Sequence, residues 1–366
     1  MRKLWVAVLF ALAAAPVFAQ APVVSRYWIL DVGVVNTPFS LFKINNNNAM
    51  IWNSGNHAFL RQSCSSRDLG SLGGGQTFAR GIGPDGTIVG KSKNAAGRWR
   101  AFRYAAGAMT DLGGGASSTL LQEEAIATNF WGDIVGIESV QGLSNSTAVR
   151  YQDGIASMTA RIFLPPGVFT PVNTVVDLND SRGVVGTVNT SSGTMAVVST
   201  NLGYQWTTMR GVAGLESMTT PRAMNRYGHV TGVAGNGFVR AFLSTNPALN
   251  ATDLGTLGGN LSMGLGINNY DWVVGWAEAS AGGGPRAFVH DGTRMYDLQS
   301  LLWNGAGWQL FEAHAVNDAG TIAGFGQLNG VAHAFMLLPK ASYPLVPPCQ
   351  VIVRGGLGTL TSAVSN

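Results

Sequence analysis

An alanine followed by a large apolar residue recurs seven times along the chain, at Ala58-Phe59, Ala101-Phe102, Ala148-Val149, Ala196-Val197, Ala241-Phe242, Ala287-Phe288 and Ala334-Phe335. The intervals are 43, 47, 48, 45, 46 and 47 residues. A period of this size confines a chain to a repeat architecture, in which each unit buries its apolar face against the next. Two further anchors travel with the first. One is a nine-residue stretch that opens on Ile44, Ile82, Thr128, Leu178, Met224, Ile267 or Val316. Its second residue is Asn in six copies (Asn45, Asn129, Asn179, Asn225, Asn268, Asn317) and Gly83 in the other, and its ninth is Gly in all copies but the first, where Trp52 stands. The other anchor is Asp-apolar-Gly at Asp31, Asp68, Asp111 and Asp253, with Asp297-Leu298 lacking the Gly. Copies four and five lack it, around residues 155–172 and 205–220.

Asn three residues before Gly, as in Asn225 to Gly228, fits a type I turn closed by a left-handed residue. Such a turn joins two antiparallel strands. Asn48 and Asp271 tolerate the same conformation; Arg182 does not suit it, and Gly183 beside it suggests a turn displaced by one residue. Flanking segments such as Thr87-Ile-Val89 and Trp272-Val-Val274 are β-branched or aromatic, as strands are. Each unit therefore supplies about four short strands, the content of one propeller blade. The expected fold is all-β, a seven-bladed β-propeller over residues 27–338, with a stacked β-solenoid as the alternative.

Composition agrees with a core-forming, turn-rich chain. Of the 366 residues, 46% are hydrophobic and 11% charged, and 49 are Gly, against roughly 25% charged in an ordinary soluble domain. That excludes a disordered chain. Residues 1–19 read as a cleaved secretory signal peptide: Arg2 and Lys3, an apolar run from Leu4 to Ala15, and Val17-Phe-Ala19, with cleavage after Ala19 or Ala21. The mature chain is thus expected in the periplasm or outside the cell, without membrane insertion. Removing Arg2 and Lys3 leaves 21 basic and 19 acidic side chains, too even a balance for nucleic acid as a partner. Two cysteines in an exported chain, Cys64 and Cys349, are expected to form one disulfide that clasps the first unit to the last. Residues 339–366 read as a possible closing strand (350–354) and a tail.

These anchors resemble the HAF repeat, a family of extracellular repeats named for its His-Ala-Phe tripeptide. The tripeptide is literal at His57-Ala-Phe59 and His333-Ala-Phe335, and becomes Arg-Ala-Phe at 100–102, 240–242 and 286–288. The segments Asp68-Leu-Gly-Ser-Leu-Gly-Gly and Asp253-Leu-Gly-Thr-Leu-Gly-Gly match as well, and the likeness covers about residues 27–338. The resemblance implies an exported bacterial repeat protein and brings no catalytic residues with it.

His57, Arg100, Arg240, Arg286 and His333 occupy equivalent positions. They read either as a partial ring of cations for an anionic ligand or glycan, or as partners for backbone or for a neighbouring blade's Asp. The recurrent Asp residues stand too far apart for a calcium loop and fit turn caps or inter-blade bonds better. The tryptophans read either as packing between blades or as platforms for a ligand, and Trp131 and Trp272, which fall beside hairpin turns, are the ones expected to be exposed. No metal, cofactor or catalytic residue is expected. The favoured function is a non-enzymatic scaffold, a monomer, that binds a cell-envelope glycan or protein. A glycan-directed hydrolase or lyase at the channel mouth is the alternative, and it requires a carboxylate pair, or His with a carboxylate, converging there.

Overall fold

The computed structural model describes residues 24–36, 41–63, 65–113, 121–140, 146–151, 160–161, 174–190, 193–202, 206–215 and 218–340. These form seven four-stranded antiparallel sheets, the blades of a β-propeller. Blades are counted here from Phe42. Their first strands are Phe42–Ile44, Gly73–Ile82, Leu121–Thr128, Thr174–Leu178, Met218–Met224, Ser262–Ile267 and Trp308–Val316. First strands of neighbouring blades touch all round the ring and so line its axis. No helix among the described residues is long and apolar enough to cross a membrane.

The Asp-apolar-Gly segment proves to be the outer strand of the preceding blade rather than the first strand of its own. Asp68, Asp111 and Asp253 end the outer strands of blades 1, 2 and 5, and each faces the Phe of that blade's Ala-Phe pair. This offset closes the ring. Tyr27–Val34, which carries Asp31, pairs with Val331–Pro339 and supplies the fourth strand of blade 7. The Asn304 side chain accepts from Ile29 N (2.8 Å) and donates to Ile29 O (3.2 Å), pinning that strand to its own blade. The expected signal peptide, Cys64, Cys349 and the segment 341–366 lie outside the described residues.

The core is divided as the ring is. Among the described residues there are seven apolar clusters, and each draws its members from two adjacent blades, including one between blades 7 and 1. All seven repeat alanines are buried to 1% exposure or less. At the interface of blades 2 and 3, Ala101 lies among Ala125, Ile134 and Val149, where a larger side chain would push the blades apart.

Two details of the hairpin have a steric cause. In blades 2 to 7 the first strand carries a β-bulge three residues before the Asn position, at Arg80, Ile126, Val176, Arg222, Leu265 and His314. The bulge drives a backbone carbonyl onto the repeat's ninth residue: a Cβ on Gly275 would lie 1.8 Å from Met263 O, and one on Gly232 2.1 Å from Thr220 O. Blade 1 has Trp52 at that position, and its first two strands pair without a shift. The turn at Arg182 is not displaced. Arg182 itself adopts φ 62°, held by its Nε donating to Asp133 Oδ2 at 3.0 Å. Gly183 serves a different need, since a Cβ there would press on the Asn179 amide at 3.0 Å.

Candidate binding site

The two ends of the ring differ in chemistry. One end carries the Asn turns; the other carries the crossovers between blades. The sequence-derived candidates are divided between them.

At the turn end, six asparagines form a belt around the axis. Each side-chain Oδ1 accepts backbone N–H groups of its own turn, as Asn225 does from Tyr227 and His229 (both 3.0 Å). Each Nδ2 donates to the main-chain carbonyl at the same position of the next blade. Asn129 reaches Asn179 O (3.2 Å), Asn179 reaches Asn225 O (2.9 Å), and Asn225 reaches Asn268 O (3.0 Å). Asn268 reaches Asn317 O (3.0 Å), Asn317 closes the circle on Asn45 O (3.1 Å), and Asn45 reaches Gly83 O (3.1 Å). Gly83 has no amide to pass on, so the belt has one gap, between blades 2 and 3. The Asn is thus both turn cap and blade link.

The next residue of the turn adds a second set of links at four of the seven interfaces. Phe130 N donates to Asp180 Oδ1 (2.8 Å), Arg226 N to Asn269 Oδ1 (3.0 Å), Asn269 N to Asp318 Oδ1 (2.9 Å) and Asp318 N to Asn46 Oδ1 (3.0 Å). Inside the belt lies a concavity of about 190 Å³ lined by the first position of the repeat, among them Ile44, Ile82, Leu178, Met224, Ile267 and Val316.

Aromatic side chains decorate one arc of this rim. Phe130 (59% exposed), Trp131 (63%) and Tyr227 (58%) stand on the turns of blades 3 and 5, and Tyr270 is half-buried on blade 6. Trp131 is held rigidly: its indole N–H donates to Asp180 O at 2.9 Å, and Phe130 packs edge-on against it at 5.4 Å. The Arg226 guanidinium covers the Tyr227 ring at 4.7 Å. Trp272 differs from the expectation of exposure. It stands two positions further along the repeat than Trp131, its main-chain N–H donates to Asn268 Oδ1 (3.0 Å), and its ring is buried between blades 6 and 7. The position at the turn apex, not nearness to the turn, decides which Trp meets solvent.

At the crossover end, each of the five HAF-position side chains has a partner. His57 meets Asp68 (2.7 Å), Arg100 Asp111 (3.2 Å), Arg240 Asp253 (3.2 Å), Arg286 Asp297 (3.1 Å) and His333 Asp31 (2.8 Å). The partner is the outer-strand Asp of the same blade, not of a neighbour. In blades 1, 5 and 6 the other Asp oxygen caps the following loop, as Asp68 Oδ1 does for Gly70 N (2.9 Å) and Asp253 Oδ1 for Gly255 N (2.8 Å), whereas Asp31 Oδ1 serves both His333 and Gly33 N. Blades 3 and 4 lack both members: Thr147 and Met195 replace the cation, and Arg161 and Thr208 take the register position of the Asp. Cation and carboxylate are present together or absent together, which is how a structural pair behaves. These five side chains and Trp131 do not share a surface.

Two titratable groupings had no sequence signal. Glu312 and His314 of blade 7 meet at 2.9 Å on the first strand, His314 at the bulge. Between blades 2 and 3, Glu124 is paired with Arg80 and with Lys91 (3.1 Å), and Glu123 faces Arg100 at 2.9 Å. Partners from another blade cannot be read from the adjacent letters Glu-Glu. Among the described residues no three His, Cys, Asp or Glu side chains gather as a metal site requires.

No family model matches the sequence, and no curated protein matches it. Solved structures do. A puromycin hydrolase superposes with a TM-score of 0.57 at 11% identity, over 87% of this chain and 55% of that one. An oligogalacturonate lyase from Vibrio parahaemolyticus gives 0.53 at 11%, over 88% of this chain and 100% of that one. A puromycin-hydrolyzing peptidase from Mycobacterium tuberculosis gives 0.52 at 10%, over 84% of this chain. The chain spans about half the length of that peptidase, 52%. At such identities the likeness concerns the fold alone.

Proposed function

We propose that this chain is an exported binding scaffold of the HAF-repeat kind, whose ligand face is the turn rim around the axis. The observation that carries the proposal is the contrast between belt and apex. The belt Asn repeats almost unchanged and is consumed by structure, whereas the apex residues vary and place rigid, solvent-facing aromatics beside amides, carboxylates and one guanidinium. A flat indole locked by its own N–H suits stacking against the C–H face of a sugar ring, and Asn46, Asn269, Asp180 and Arg226 suit its hydroxyls. The concavity is shallow, so a glycan lying across the rim fits better than a deeply inserted side chain. The expected result is saturable binding of the mature chain to a subset of a bacterial-envelope glycan array, weakened at least tenfold by Trp131→Ala. No glycan binding, or equal binding by the variant, would overturn the reading.

A second reading, a glycan hydrolase or lyase at the channel, draws on the Glu312–His314 contact. Release of reducing ends or unsaturated sugars from polysaccharide, abolished by Glu312→Gln, would support it over the scaffold.

A further inference from the structure

Near the crossover end of the first strand, six residues before the belt position, three blades carry a buried hydroxyl: Thr77, Thr219 and Ser262. In two of them its partner is clear. Thr77 Oγ1 donates to Gly70 O and Ser262 Oγ to Gly255 O, each at 2.6 Å, so the hydroxyl ties a blade to the Asp-Leu-Gly loop of the blade before it. Blade 3 has Glu123 there, 2% exposed. Gly113 is the counterpart of Gly70 and Gly255, and the Arg100 guanidinium and the Glu123 carboxyl both crowd against it: a Cβ on Gly113 would stand 1.7 Å from Arg100 Nη2 and 2.3 Å from Glu123 Oε2. That oxygen faces Arg100 Nη1 at 2.9 Å but makes no hydrogen bond among the described residues. This is also the one interface where the asparagine belt is interrupted.

The charged and titratable groups facing Glu123 come from both blades. Arg100 and Asp111 belong to the third and outer strands of blade 2, and Glu138 and Tyr151 to the second and third strands of blade 3. Lys91 and Arg80 approach the neighbouring Glu124 instead. Burial pushes the Glu123 carboxyl up to about 7; Arg100 pulls it down, while Glu138 and Asp111 raise it.

We propose that Glu123 is a proton-operated latch on the seam between blades 2 and 3. Protonated, its O–H donates to the crossover carbonyl in the manner of Thr77 and Ser262. Ionised, it competes with Asp111 for Arg100 and leaves that carbonyl without its donor. A carboxyl that titrates higher in the folded chain than in the unfolded one, where it lies near 4.3, binds more protons when folded across that window. The seam is therefore tightest in mildly acidic solution and loosens as pH rises from about 4.3 to about 7, with little change above.

Hydrogen exchange of Trp99–Ala105 and Leu121–Thr128, corrected for intrinsic rates and compared with Val273–Glu278 of blade 6, measures the seam directly. Between pH 5.5 and 8, protection of the two seam strands is expected to fall tenfold or more relative to blade 6. In Glu123→Gln, which keeps a donor and cannot ionise, and in Glu123→Thr, which restores the hydroxyl, the ratio should stay constant. Equal relative protection of the wild-type seam at both pH values would overturn the latch. So would a Glu123→Gln or Glu123→Thr chain, folded by circular dichroism, that follows the wild-type course.

Discussion

A buried primary amide has two lone pairs and two N–H groups to satisfy, and the belt asparagines show what a single residue type can do when all four are used. Asn225 accepts from two N–H groups of its own turn, donates to Asn268 O, and places its other hydrogen on Asp271 Oδ1 at 2.8 Å. Removing it strands buried backbone groups on both sides of a blade interface. Each unsatisfied group costs about 1–3 kcal/mol, so Asn225→Ala should lower the free energy of urea unfolding by about 2–4 kcal/mol. Tyr227→Ala, two residues away at the exposed apex, should change it by no more than about 0.5 kcal/mol. Equal effects at the two positions would mean that belt and apex are not the separate layers described here. The turn-capping half of the Asn's role was legible from its spacing to Gly. The inter-blade half was not, because it depends on which carbonyl the ring brings alongside.

At the scale of the strand, the bulge explains a glycine that the repeat displays without giving its reason. The ninth residue is Gly wherever the first strand bulges and Trp52 where it does not. Gly275→Ala would drive a methyl group into the Met263 carbonyl, and backbone on both strands would have to move. A loss of about 1–3 kcal/mol or more is expected, read as a lowered denaturant midpoint at unchanged slope. Gly284→Ala is the control, since nothing stands within 4 Å of its added Cβ and its φ is not left-handed; it should be near neutral. The pairing of His57, Arg100, Arg240, Arg286 and His333 with outer-strand carboxylates also belongs to this scale. It was not legible in the linear repeat, where copies three and four lack the cation but copies four and five lack the Asp; the two gaps coincide only once each Asp is assigned to the preceding blade.

For the whole molecule, the number of blades, their four-strand content and their all-β character were legible because all three anchors keep one period. The phase of that period was not. Whether Asp-Leu-Gly begins a unit or ends the previous one depends on the closure of the ring, and a linear repeat reads the same either way. Tyr27–Val34 settles the phase by completing blade 7, so that the first and last of the described strands meet in one sheet and every blade has a neighbour on both faces. The turn rim, and with it the proposed ligand face, exists as one surface only if that closure holds. Its direct test is a cross-link between Val34 and His333, which stand opposite each other in the closing ladder. Residues so paired have Cα atoms about 4.5–5.5 Å apart, within disulfide reach. A chain with Val34→Cys and His333→Cys, and with Cys64→Ser and Cys349→Ser, should oxidise to an intramolecular disulfide in the monomer and unfold at a higher temperature than its reduced form. Two free thiols after oxidation, or cross-linking only between chains, would contradict the closed ring.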